Sequence, residues 1–89
     1  MFRLWGKIIK DNRIMQDMVY ENNDHTLNRT KKVFQGLHEI CVAFDLQEPL
    51  WLDRNIKEFR SFDKSRFDSD NFIESIEFDY LEIHVIEED

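Results

Sequence analysis

The sequence predicts an α+β domain: a small three-stranded, mostly antiparallel sheet packed on one long helix, with a short second helix. Three observations carry this. Two runs rich in Ile, Met, Val and aromatic residues flank Asp11-Asn12. Apolar residues then recur at steps of three and four from Leu27 to Phe44, and the closing stretch "SIEFDYLEIHVIEED" alternates apolar with acidic positions. At 89 residues the chain makes one domain, 1–89, near the lower end of what folds alone. Eight Phe, two Trp and two Tyr supply material for a core despite the charge.

The first element, "FRLWGKIIKDNRIMQDMVY", reads as a β-hairpin, because Asp and Asn tolerate the positive φ of a two-residue turn. That turn places Lys10 opposite Arg13, Ile9 opposite Ile14, Ile8 opposite Met15, Trp5 opposite Met18 and Leu4 opposite Val19. One face then carries Phe2, Leu4, Ile8, Met15 and Val19. The other carries Trp5, Ile9, Ile14, Met18 and Tyr20. Both are partly apolar, so each calls for a cover: the long helix on one, and residues 50–72 or a second copy of the chain on the other.

The main helix follows in "NNDHTLNRTKKVFQGLHEICVAFDL", with Asp24 or Thr26 as the expected cap. Its buried stripe is expected at Leu27, Thr30, Phe34, Leu37, Cys41 and Phe44, widened by Val33 and Ile40. Gly36 inside it points to a close approach to the sheet, and Pro49 ends any continuation. "PLWLDRNIKEFRSF" reads as an extended entry into a short helix capped by Asp53, with Ile56 and Phe59 on its buried side. Residues 60–71 read as a polar loop anchored by Phe62 and Phe67, with a one-turn helix at 71–75. The last strand is expected from Ile76, with its phase slipping at Tyr80–Leu81 through a β-bulge, and it should lie beside the first strand.

Three stretches, "RLWGKIIKDNR" (3–13), "PLWLD" (49–53) and "NFIESIEFDYLEI" (71–83), resemble those of a family of small uncharacterised bacterial proteins. The resemblance implies a stand-alone bacterial domain and brings no activity, so no catalytic or binding residue follows from it.

Composition narrows the function classes. The net charge of −7 is uneven, since nine acids and no Lys or Arg follow from Asp68 onward. Such a chain is repelled by phosphates, which argues against direct nucleic-acid binding. No apolar run approaches a membrane span, and charges interrupt "MFRLWGKIIKDNR", so it does not read as a signal peptide. Cys41, the single cysteine, has no partner for an intramolecular disulfide, which points to the cytoplasm.

No catalytic, cofactor or metal residue is assigned. His38 and Cys41 stand three apart on one helix, but no second pair completes a tetrahedral site. His25 and His84 are isolated, and "DSDN" at 68–71 lacks the glycine and glutamate of a calcium loop. The "RTKK" run at 29–32 reads as a solvated helix face. With only Gly6 and Gly36, no phosphate-cradling loop exists. The acidic strand reads first as a solvated face, and as a docking surface it offers Glu77, Asp79 and Glu82. The expected function is therefore a small non-enzymatic binding or accessory protein acting through protein–protein contacts, its partner being another protein or a second copy of the chain in a homodimer. The alternative is an acidic nucleic-acid mimic that occupies a DNA-binding partner; an enzyme comes third, with no motif behind it.

Overall fold

In a computed structural model, which describes residues 1–88, Phe2–Lys10 (β1) and Arg13–Asn22 (β2) form the expected antiparallel hairpin. Asp11 and Asn12 make its turn at φ 53° and 63°, the left-handed region that this residue pair tolerates. The expected register holds for Lys10–Arg13 and Ile9–Ile14 and then slips. Ile8 lies opposite Gln16, Gly6 opposite Met18, Trp5 opposite Val19 and Leu4 opposite Tyr20. Met15 is the extra residue of a bulge, so the pairs Ile8–Met15, Trp5–Met18 and Leu4–Val19 are corrected by one position. The slip turns Met18 and Tyr20 toward the core and leaves Val19 exposed. Apolar residues on both faces of β2 had left the two registers nearly equivalent.

Helix α1 spans Arg29–Ala43, and the side chain of Asn28 caps it by accepting from the Lys31 N–H at 2.9 Å. Asp24 serves a turn instead, accepting from the Thr26 hydroxyl and backbone N–H. Those two hydrogen bonds hold its carboxyl below the usual value. The buried face of α1 is Val33, Gly36, Leu37, Ile40 and Cys41, whereas Phe34 is 51% exposed. The expected stripe is thus rotated. Gly36 sets the rotation, since a Cβ there would come within 2.7 Å of Leu4 and 2.8 Å of Tyr20. Gly6 does the same from the sheet, where a Cβ would meet Ile40 at 2.6 Å.

Helix α2 spans Asp53–Phe62. Leu52, not Asp53, occupies the cap position, and Asn55 reaches back to accept from its backbone N–H at 3.1 Å. The buried face of α2 carries Phe59 and the fully enclosed Asn55, while Ile56 is 40% exposed. Asp63, at φ 58°, ends the helix.

The three-stranded sheet with one long helix is corrected here, because Lys64–Phe67 is a strand, β3. It pairs antiparallel with Tyr80–Glu87, β4, which in turn pairs antiparallel with β1. The sheet has four strands in the order β2-β1-β4-β3, and two helices pack on it. A four-residue strand of sequence KSRF has too little pattern to be seen alone; β4 makes it a strand by offering an unpaired edge. Phe67 is buried there as expected of an anchor, but Phe62 is 65% exposed.

Residues 71–79 form turns and bends, so the one-turn helix and the early start of the last strand at Ile76 are both corrected. Phase within β4 is unbroken from Tyr80 to Val85, and the irregularity lies at Ile86, opposite Arg3/Leu4, instead of at Tyr80–Leu81. Leu81, Ile83 and Val85 point inward with Leu4, Ile8 and Phe67. Both helices lie on this side, α1 over β1 and β2 and α2 over β3. Residues 50–72 therefore extend the same layer rather than covering the second face.

Candidate functional site

The three acids singled out in the sequence do not share one strand face. Glu77 is exposed in the loop before β4, and Asp79 closes the sheet end: its carboxylate accepts from the Asp11 N–H at 2.9 Å and its own N–H donates to Ile9. Glu82 is 6% exposed and lies 2.8 Å from the Lys7 ammonium and 3.0 Å from the Arg66 guanidinium. Burial pushes its carboxyl up, but the hydrogen bonds and charges of Lys7 and Arg66 outweigh that and hold it below the usual value.

Glu82 belongs to a row running across the sheet, Asp17–Lys7–Glu82–Arg66, fixed by the strand registers. Aromatic rings flank it: Lys7 sits over Trp5, and Arg66 over Tyr80. The Trp5 indole N–H donates to Asp17 at 2.8 Å. Two rows further along, beyond Trp5, Arg3 lies 3.1 Å from both Glu21 and Glu87. Lys7, Glu82, Arg66 and Arg3 on this open face each lie beside a group of opposite sign, whereas Lys64 stands opposite His84.

The other sequence candidates part company. Cys41 is buried and its thiol is pushed up to about 12, chiefly by burial and then by Glu48. His38 points to solvent beside Glu48. "DSDN" is a turn: the Asp68 carboxylate accepts from the Asp70 N–H, and the Asn71 side chain accepts from the Asp68 N–H. Asn71 also donates to Asn55 at 2.7 Å, and Asn55 donates to Ser65 at 2.8 Å. These three fully buried polar side chains lock the loop to α2 and β3. Among the described residues no group of three or more His, Cys, Asp or Glu is placed to hold a metal ion.

What sequence reasoning missed is a groove of about 380 Å³ between α1 and α2. Trp51 forms its floor, with ring centroids 5.7 Å from Phe34, 5.9 Å from Phe59 and 5.0 Å from Phe67, all edge-on. Phe34 and Ile56 are its exposed apolar walls, and Arg29 and Arg60 stand at the rim. Arg29 is engaged by Asp63 and Glu88. Arg60 has no ion-pair partner among the described residues. Among the described residues no carboxylate lines the groove itself, although Asp63 and Glu88 reach Arg29 at its rim. The sequence pattern puts Phe34 and Ile56 on the buried sides of their helices, and no local signal separates them from core positions.

A family model for the pseudin antimicrobial peptide matches residues 26–41. Those residues include most of α1, whose apolar side is packed against the sheet. No curated protein and no solved structure matches the chain. Among the described residues no helix is long and apolar enough to cross a membrane.

Proposed function

We propose that this chain is a small non-enzymatic binding protein that acts through protein–protein contacts, with the α1–α2 groove as its docking surface. The observation that carries the reading is an aromatic trough in which half-exposed Phe34 and exposed Ile56 stand as walls beside the Trp51 floor. Exposed apolar concavities of this kind mark interaction sites. The open face of the sheet is the weaker candidate, since its charges neutralise one another.

The nucleic-acid-mimic alternative needs a row of free carboxylates, and Glu82, Glu21, Glu87 and Asp68 are each engaged by a cation. Cytoplasmic location and bacterial origin belong to the same proposal, resting on the lone cysteine and on the resemblance of residues 3–13, 49–53 and 71–83.

The test compares captures from a native lysate by the wild-type chain and by Phe34→Asp and Ile56→Asp. A specific protein retained by the first and lost by both variants supports the reading. Identical captures sink it.

A further inference from the structure

Resting on that reading, we propose that the groove receives an acidic amphipathic segment of a partner protein, which seats apolar side chains over Trp51 and sets carboxylates against Arg60. The form of the trough selects the kind of occupant. A small-molecule pocket encloses most of its ligand. Here the walls Phe34 and Ile56 are 51% and 40% exposed, so the outer side of anything bound stays uncovered. A side chain carried on a peptide brings its own cover, as in helix-in-groove recognition.

Charge selects the occupant's sign. The chain carries −7 overall, yet among the described residues the charged ones lining this trough are Arg29 and Arg60. Arg29 is fixed over the Phe59 ring, 5.2 Å away, and shared between Asp63 and Glu88, so little of its charge is free. Arg60 is exposed and keeps its donors for a ligand. A guanidinium beside an aromatic floor suits a carboxylate flanking an apolar side chain, through charge-assisted bonds. A basic segment would meet both arginines and is disfavoured. The last turn of α2 is a favourable place for any cation, which accounts for an Arg there but not for the lack of a carboxylate among the described residues that line the groove.

A display library of random short peptides, selected on the wild-type chain and depleted on Phe34→Asp, tests this. Enriched peptides should pair Leu or aromatic residues with Asp or Glu. Binding of one such peptide is then followed by Trp51 emission in a Trp5→Phe background. Arg60→Glu should weaken it about tenfold or more, as repulsion replaces a charge-assisted contact, and Arg60→Lys should restore most of it. Because Arg60 is exposed and has no ion-pair partner among the described residues, these variants should fold, which circular dichroism checks. Enrichment of basic or neutral peptides, or indifference to Arg60→Glu, overturns the acidic preference while leaving a protein-binding groove. No enrichment, or binding untouched by Phe34→Asp, overturns both. A homodimer in light scattering that Phe34→Asp dissociates would give the groove to a second copy and overturn the proposal.

Discussion

The two faces of the sheet meet the same demand by opposite means. Toward the helices, Leu4, Ile8, Leu81, Ile83 and Phe67 are almost wholly removed from water by hydrocarbon packed on hydrocarbon. Toward solvent, Trp5, Lys7, Glu82 and Arg66 screen one another, with aromatic rings beneath the cations. The first face draws on area and shape, which are insensitive to salt and pH. The second draws on charge, whose worth depends on burial. It follows that Glu82, enclosed in its row, is a structural group, and that a site for partners is better sought where neither device operates. The α1–α2 groove is such a place.

The comparison is tested most severely in the covered layer. Ile40→Ala and Leu81→Ala should each cost about 2–5 kcal/mol in denaturant unfolding, the range for emptied core sites. Phe34→Ala should cost only about 1 kcal/mol, since its ring is half exposed. Equal losses at Ile40 and Phe34 would mean that the groove is core.

Next comes the helix–sheet contact. Gly36→Ala should destabilise by about 1–3 kcal/mol through overpacking against Leu4 and Tyr20. Alanine's better helix propensity, worth about 1 kcal/mol, works the other way. A stabilised variant would show that α1 can lift off the sheet at no cost.

On the open face, Glu82→Gln should cost about 1–3 kcal/mol, because it strips a buried carboxylate from two charged donors. The sign of its pH dependence follows from its depressed folded pKa. Its contribution is present above the unfolded glutamate value of about 4.3 and is lost as pH falls through the lower folded one. The wild type should therefore lose more stability than Glu82→Gln on acidification from neutral pH. Parallel pH profiles would place Glu82 outside the network.

The smallest effects belong to exposed charges. Glu21→Gln, which removes one partner of half-exposed Arg3, should cost less than about 1 kcal/mol and less still in high salt. Lys31→Ala should stay within about 0.5 kcal/mol. A large loss at either would mean that the outer rows act cooperatively.

Much of this arrangement was legible residue by residue, and its gaps have physical causes. Asp11-Asn12 specifies the turn, the period-two run after Tyr80 a strand, and the three-and-four spacing after Asn28 a helix, because each is a local preference. The lone thiol, the lack of a glycine loop and the net charge were likewise plain. The Asp24 cap was misread because Asp24 and Asn28 are both competent acceptors, and only the position of α1 on the sheet chooses between them.

Three features were decided by tertiary structure alone. The bulge at Met15 settles which face of β2 is inward, and it depends on Tyr20 and Leu4 meeting Gly36 across the layer. Strand β3 exists because β4 offers an edge and because Asn55, Ser65 and Asn71 satisfy one another in the interior. The groove arises from the angle at which two helices share one face of the sheet, which places Phe34, Trp51 and Ile56 around a common space. Local pattern fixes conformations of a few residues at a time, whereas register, edges and concavities are properties of surfaces meeting, and no single segment contains both surfaces.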